Sequence, residues 1–403
     1  MAERIAIIGA GAAGCFAAAN IPQAEGKEIV VFEKTVKALQ KVKVSGGGRC
    51  NTTHACFDIP ELVTKYPRGK QLLKKTLYRF SPQDTINWFG KRGVQLKEEE
   101  DGRMFPSTDS SQTIIDCIWQ QMMKNKVKVL YHKSITRLER KENKWVLHFA
   151  DDSSFEADKI LIACGGFPKH EQYQWLTALG HTIQAPVPSL FTFNMPKHPI
   201  TELMGVVVQD AVVKVAGTKI VEQGPLLITH WGLSGPAILR TSAWAARELN
   251  ERNYDFNITV NWLGATTEVD LKEIITNLRK EQGKQTLNGK NPFNLPRRFW
   301  EYQLSRLGIK EDTRWGDLPA TAQNKLIEYL FRDTYSIKGK TTFKEEFVTC
   351  GGVNLSEIDP QTMQSRIVPN VYFAGEILDV DGITGGFNFQ HAWSSAYIAA
   401  QQL

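Results

Sequence analysis

Short, unbroken apolar runs open the chain. Ile5-Ala6-Ile7-Ile8 and Ile29-Val30-Val31-Phe32 lack the alternation of a strand with one wet face, which predicts parallel strands buried on both sides. Residues 12–20 between them are rich in alanine, the strongest helix former, so residues 4–33 read as strand, tight turn, helix, strand. Residues 61–125 carry apolar positions at helical spacing around Leu72, Leu73, Thr76 and Leu77 and are expected to be mostly helical. Strands are expected at 127–131, 145–149 and 159–164, with a turn at Asp151-Asp152. After Pro186 and Pro188 the pattern changes. Residues 206–215, 226–229 and 256–262 read as strands of a separate unit. Helical patterns follow at Leu271, Ile274, Ile275 and Leu278, at Trp300, Leu304 and Leu307, and over 318–333. Strand signals resume at Phe347, and a closing helix is expected over 388–401.

Gly9-Ala-Gly-Ala-Ala-Gly14 joins the first strand to the alanine-rich helix, and Glu33, 19 residues beyond Gly14, ends the second strand. The pattern G-x-G-x-x-G in that setting binds a dinucleotide. Gly9 permits the turn, Gly11 lets backbone approach a pyrophosphate, Gly14 lets helix and strand pack closely, and Glu33 is placed to bond an adenosine ribose. Unpaired N–H groups at the helix start hold the phosphates. The expected architecture is α/β: a discontinuous Rossmann-like domain over residues 1–189 and 343–403, interrupted by an insertion.

Composition narrows the setting. The chain has 403 residues, 42% apolar and 23% charged, as in soluble globular proteins of two or three domains. The net charge of +6 is a mild excess, smaller than a dedicated nucleic-acid binder carries, so a small-molecule substrate and no nucleic-acid partner are expected. Six cysteines without a C-x-x-C pair exclude zinc-ribbon and thioredoxin-type sites, fit a reducing compartment, and leave no metal site expected. The apolar stretch of residues 5–21 is broken by Gly9, Gly11 and Gly14, unlike a signal peptide, and no apolar run reaches 18 residues, so a cytoplasmic protein without membrane contact is expected. Oligomeric state is left open.

Glycine turns recur far from the first. Val44-Ser-Gly-Gly-Gly-Arg-Cys-Asn51 sets a guanidinium beside bare backbone, suited to a pyrophosphate or a ring system. A buried strand at 371–374 runs into Gly375-Glu376, and Gly382-Ile-Thr-Gly-Gly-Phe-Asn388 leads into the last helix. A carboxylate there can take a ribityl hydroxyl, and a helix N-terminus can favour a reduced flavin anion. Three contact regions split across the chain suit FAD rather than NAD as the resident cofactor.

The sequence resembles the BaiN/YhiN-like family of FAD-dependent flavoproteins, which includes aminoacetone-oxidase-like members and dehydro-bile-acid reductases. The resemblance covers nearly the whole chain and is most specific at Ser45-Gly-Gly-Gly-Arg-Cys-Asn51, Thr229-His-Trp-Gly-Leu-Ser-Gly-Pro236, Thr349-Cys-Gly-Gly-Val353 and Phe373–Asn388. It implies a glutathione-reductase-type FAD domain interrupted by a β-barrel (residues 190–264) and a small helical domain (265–342). By position it implies FAD contacts at Gly11, Ala13, Gly14, Glu33, Arg49, Asn51, Gly375, Glu376, Phe387 and Asn388, with Gly9, Lys34, Cys50, Gly165 and Gly386 in the same turns and Ile135 as a backbone contact to adenine. Residues 158–166 resemble the family's Ala-Thr-Gly-Gly turn, with Cys164 where threonine is usual.

The expected activity is FAD-dependent hydride transfer to or from a C–C or C–N bond of a small organic molecule, with NAD(P)H or O2 as second partner. The sequence has no second G-x-G-x-x-G, so NAD(P)H is expected only as a transient co-substrate. His230 is the candidate general acid/base, after an apolar strand and before a helix that Ser234 caps and Pro236 enters. The alternative for His230 is a backbone-bonded residue at a strand–helix joint. His391 faces the flavin or the core. Trp231 and Phe387 wall a pocket or simply pack. Two further alternatives stay open: a disulfide reductase using Cys50 and Cys56, though C-x5-C is one residue longer than such enzymes use, and a non-catalytic flavin sensor. The basic stretch 65–92 reads as a solvated helix face or as an RNA contact.

Overall fold

The computed structural model describes residues 2–22, 26–289, 291–341 and 348–403. The chain divides into two compact units, Met1–Ser189 with Phe343–Leu403, and Leu190–Thr342.

The first unit is built on a five-stranded parallel sheet. In chain order its strands are β1 (Glu3–Ile8), β2 (Lys27–Phe32), β3 (Lys128–Leu130), β4 (Lys159–Ile162) and β5 (Val371–Phe373), and their order in space is β5-β4-β1-β2-β3. The central β1 pairs Ile5 with Ile29 on one side and Lys159 on the other, which buries Ile5, Ala6 and Ile7 completely. Unbroken apolar runs therefore became central strands, for the reason the pattern suggested. Helix α1 (Ala12–Asn20) leaves β1, and the last helix of the chain, Phe387–Ala400, packs on it, with the Phe16 and Trp393 rings 5.0 Å apart. The final strand and helix thus lie against the first ones.

The segment expected to be mostly helical has helices at Ile59–Val63, Lys70–Leu77 (α2), Pro82–Gly90 and Ser111–Lys124, so the last helix of the chain is α3. It also holds the strands Leu96–Glu98 and Arg103–Pro106, which pair around a Glu-rich turn and are too short to show a period. An antiparallel sheet of Ile135–Lys141, Lys144–Phe149 and Ser154–Ala157 includes a last strand whose single large apolar residue, Phe155, gave no pattern to read. The strand expected from Phe347 runs over Val348–Val353 and pairs with Ile183–Ser189; Phe347 lies outside the described residues.

The second unit is a seven-stranded antiparallel sheet with helices. Its outer strands, Asp333–Lys338 and Thr341's short strand with Lys340, are separated in sequence by Gly339 alone. Gly339 accepts from Asn194 N–H at 3.1 Å and donates to Tyr254 carbonyl at 2.8 Å, so the sheet rolls until its edges meet at one residue. Both outer strands come from the region expected to be helical (265–342), which corrects the division at residue 264. Burial alternates along Asp333–Lys338, with Tyr335 and Ile337 inside, and the helices Glu268–Glu281 and Ala320–Phe331 share a single core with the strands through Ile258, Trp262, Leu271 and Leu326. Ile274, expected in the buried stripe of the first of these helices, is exposed.

Candidate functional site

The three glycine turns of the first unit converge. The extended Gly11 caps α1, no side chain caps the helix, and a Cβ placed on Gly11 would meet nothing within 4 Å. The backbone there is bare toward open space, which is what a phosphate seat on a helix N-terminus needs. Gly14, one turn on, is the opposite case: a Cβ would fall 1.9 Å from the carbonyl oxygen of Gly9, so only glycine lets α1 close on β1. Glu33, at the end of β2, accepts from Ala10 N–H at 2.9 Å and from the Thr35 amide and hydroxyl at 2.8 Å, which fixes its carboxylate beside the glycine turn. Lys133 N–H donates to the Glu33 carbonyl at 2.8 Å, bringing Ile135, two residues on, to the same edge. Lys34 extends over the Phe167 ring at 5.3 Å.

The second turn follows a helical segment, Gln40–Gly48, that breaks at Ser45. Gly47 and Gly48 also face open space. Arg49 stacks on Phe105 at 4.1 Å, and its guanidinium donates to Glu99 at 2.6 Å, so its charge is already partnered. Cys50 is fully buried, and burial pushes its thiol up to about 11; Cys56 is raised by burial as well. Neither is a thiolate near neutral pH, both are unbridged, and their hydrogen bonds run to different groups, Thr52 and the Asp58 carbonyl.

The third turn meets the second. The Asn51 amide bridges the Thr53 carbonyl and Gly386 N–H, each at 3.0 Å. Gly386 caps α3 with no side chain of its own, and a Cβ there would fall 2.5 Å from the Thr53 carbonyl oxygen, so only glycine fits this joint. Phe387 is buried, stacks on His54 at 4.7 Å, and its carbonyl accepts from the Tyr66 hydroxyl at 2.8 Å. Asn388 closes its own turn, donating to the Gly382 carbonyl at 2.9 Å and accepting from Gly382 N–H at 2.8 Å. Gly375 sits where a Cβ would strike Ala13 at 2.8 Å. Glu376 accepts from Thr349 N–H at 2.9 Å and pairs with Lys41 at 2.6 Å, with its carboxylate beside Gly165. The cradle fits an extended dinucleotide flavin: bare backbone at Gly11, Gly47 and Gly48, two helix N-termini capped by glycine, and a carboxylate at each end.

Sequence reasoning assigned no site role to His54, Lys41, Tyr66 or Thr349. Burial lowers the His54 pKa, and its buried Nδ1 has no partner among the described residues; a lone histidine after Asn51 carried no motif to mark it. His391 faces the core: it is 2% exposed, and its Nε2 lies 3.2 Å from the Gly375 carbonyl. In the second unit, exposed His230 occupies the hairpin turn between Val221–Thr229 and Gly232–Ser234, edge-on to Trp231 at 3.9 Å. Ser234 belongs to a strand, and Gly235, at φ 89°, takes the cap position expected for it, with Pro236 opening the helix. The close approach of Gly235 to Pro225 and Leu226 backbone leaves no room for a side chain there.

His181, Glu357 and Ser365 have the connectivity of a hydrolase triad, with Nδ1 2.9 Å from Glu357 and Nε2 3.0 Å from Ser365 Oγ. That Oγ also accepts the Ile367 and Val368 amides at 3.0 Å, and both His181 and Ser365 are buried, so the group clamps three segments of chain and presents no nucleophile.

Among the described residues no helix is long and apolar enough to cross a membrane, and no cluster of metal-ligating side chains occurs. The parallel sheet, the fingerprint turn and the glycine cradle define a flavin-dependent oxidoreductase with a Rossmann-like core. The chain belongs to the HI0933-like protein Rossmann domain family, whose model matches residues 3–402. It is 32% identical over 98% of its length, and 97% of the relative's, to a ribosomal RNA dihydrouridine synthase of Escherichia coli. It is 27% identical to a 3-dehydro-bile acid delta(4,6)-reductase of Clostridium scindens, over 99% of this chain and 98% of the other. The fold is similar to that of a 3-ketosteroid-delta4-(5alpha)-dehydrogenase from Rhodococcus jostii, at a TM-score of 0.52 and 12% identity, covering 99% and 97% of the two chains.

Proposed function

We propose that this protein is an FAD-dependent, NAD(P)H-fed reductase that adds hydride and a proton across a carbon–carbon double bond conjugated to a carbonyl, and that its substrate is a uridine of ribosomal RNA, converted to dihydrouridine. The observation that carries this reading is the match, over 98% of the chain, to an enzyme of that name. A second relative, of Haemophilus influenzae, has the same name at 29% identity. Dihydrouridine is uridine with one ring double bond reduced, and a bile acid reductase performs the same class of reaction on a different skeleton. Both relatives' names describe electrons entering the substrate, which favours NAD(P)H over O2 as second partner. The RNA reading replaces the expectation, drawn from the small net charge, that nucleic acid plays no part.

Bound flavin supplies the two-electron relay. The chain's own groups orient and hold it: the α1 amides and Gly47–Gly48 backbone take the pyrophosphate, Glu33 the adenosine ribose, Glu376 the ribityl chain, and the α3 N-terminus, at Gly386, Phe387 and Asn388, the pyrimidine edge.

Anaerobic titration tests the redox half. NADH or NADPH is expected to bleach the flavin band, and a panel of primary amines is not. Bleaching by an amine, with peroxide formed on readmitting air, would select an oxidase. Incubation of the reduced enzyme with transcribed ribosomal RNA is then expected to yield dihydrouridine by nucleoside mass spectrometry; its absence with every RNA offered would end the substrate proposal. Glu33→Ala and Glu376→Ala are each expected to lower retained flavin at least tenfold against added competitor flavin, measured by absorbance ratio after gel filtration. Full flavin content in both would refute the assignment of these carboxylates.

A further inference from the structure

The charge of this chain is concentrated in one segment. Residues 65–92 hold eight lysines and arginines (Lys65, Arg68, Lys70, Lys74, Lys75, Arg79, Lys91 and Arg92) and one acid, Asp84, a net +7 within a chain whose total is +6. The rest of the protein is close to neutral. A solvated helix face, the simpler account, spreads charges of both signs. Here Lys65 pairs with Glu61 at 3.2 Å and Arg68 with the buried Asp381, and the cations of the helix that follows face solvent with no acid among them.

Helix α2 shows how they are presented. Leu72, Leu73, Thr76 and Leu77 are buried, which turns Lys70, Lys74, Lys75, Tyr78 and Arg79 outward. Lys74 and Lys75 have no ion-pair partner among the described residues, and Arg79 donates to the Gln361 carbonyl, a bond that leaves its charge uncompensated. Tyr78 stands among them with 62% of its surface exposed, one of the most exposed large apolar side chains among the described residues. An aromatic ring at the centre of a cationic face matches the way single-stranded nucleic acid is held, phosphates on lysine and a base on the ring.

The helix also starts at the cradle. Gly69, its cap, is pressed on Val380, where a Cβ would lie 2.6 Å from a methyl group. Ile383 N–H donates to the Lys65 carbonyl at 3.0 Å, and Tyr66 bonds the Phe387 carbonyl at 2.8 Å. The eight residues of α2 reach about 12 Å from that turn. Beyond them, Tyr397 stacks on Phe80 at 4.4 Å and lies within electrostatic reach of Arg92, which with Lys91 and Lys124 lines a depression of about 350 Å³.

We infer that the exposed face of α2, with Lys74 and Lys75 on phosphates and Tyr78 under an unpaired base, seats a single-stranded segment of the RNA substrate next to the flavin cradle. The inference rests on the RNA reading above and names the surface that reading needs.

The test uses the full-length flavin-loaded protein and in vitro-transcribed ribosomal RNA. Binding is followed by filter retention at several salt concentrations, and dihydrouridine by mass spectrometry. Lys74→Glu/Lys75→Glu is expected to weaken binding at least tenfold and to reduce the slope of log affinity against log salt by about 1.4, for two phosphate contacts on a single strand. Tyr78→Ala is expected to weaken binding roughly five- to hundredfold, with Tyr78→Phe restoring it, because stacking needs the ring and not the hydroxyl. Flavin content and the rate of flavin reduction by NAD(P)H should match wild type in all three variants, which excludes misfolding as the cause. Unchanged binding and salt slope in the charge-reversal variant would overturn the inference. So would equal loss toward heparin and RNA with no effect of Tyr78→Ala, the mark of a non-specific polyanion surface. Wild-type protein that forms dihydrouridine while the variants do so equally well refutes this surface alone. Wild-type protein that binds RNA through these residues and yet forms none refutes the proposed reaction and leaves the surface standing.

Discussion

Gly14→Ala is expected to lower the melting temperature by roughly 5–10 °C and to strip the protein of flavin, while Gly11→Ala, three residues earlier in the same motif, melts close to flavin-free wild type. A methyl group on Gly14 would stand 1.9 Å from the Gly9 carbonyl oxygen, a contact with backbone that no rotamer change relieves. Either α1 lifts from β1 or the turn deforms, and overpacking of this kind costs about 3 kcal/mol or more. Gly11 has an ordinary extended conformation, at φ −84°, and nothing lies within 4 Å of the position a Cβ would take. The methyl group of Gly11→Ala therefore costs the fold at most about 1 kcal/mol, as for other caps, and instead occupies the space in which a pyrophosphate must lie. Scanning fluorimetry reports the first effect and the flavin-to-protein absorbance ratio the second. Equal melting of the two variants, or full flavin content in Gly11→Ala, would contradict the division of labour between these glycines.

Acid is expected to loosen the first unit through His391. Burial pushes its pKa down from 6.5 to about 4, against smaller upward effects of the Gly375 carbonyl and Glu376. The folded pKa lies below the unfolded one, so the unfolded chain binds the proton first. The stability held at neutral pH is complete above about pH 6.5 and is lost as pH falls from there toward 4. Two and a half units correspond to about 3 kcal/mol. His391→Gln keeps a side-chain donor for the Gly375 carbonyl without a titrating group, and is expected to flatten the loss over that interval. His54 and His181 are shifted downward as well, so the informative quantity is the difference between variant and wild-type melting curves from pH 4 to 7. Parallel curves would show that His391 does not carry the effect.

Both predictions concern residues whose role could be read only in part beforehand. The glycines of the fingerprint were legible because the motif's spacing ties each to a task, and the buried strands because continuous apolar runs have few other uses. His391 was ambiguous, since a histidine on a helix without a marked polar face points to cofactor or core equally well. His54 was invisible. It matters because Gly102, Gly385 and Phe387, distant in sequence, crowd its ring. Arg49 follows bare backbone in the sequence, but its commitment to Glu99 depends on a pairing of short strands that no periodicity announces. The outer strands at Asp333–Lys338 and Lys340–Thr341 were hidden by the helices preceding them, although their alternating burial fits a half-buried strand.

The sequence by itself determined the βαβ unit, the glycine fingerprint with its carboxylate, and the recurrence of bare-backbone turns at both ends of the chain, because local spacing and composition encode them. Tertiary structure alone decided that the Asn51 turn and Gly386 share hydrogen bonds, that Lys41 reaches Glu376 across 335 positions, and that a one-residue corner closes the rolled sheet. Those outcomes rest on contacts between segments far apart in the chain, whose free energy depends on how the whole core packs and leaves no period in the residues themselves.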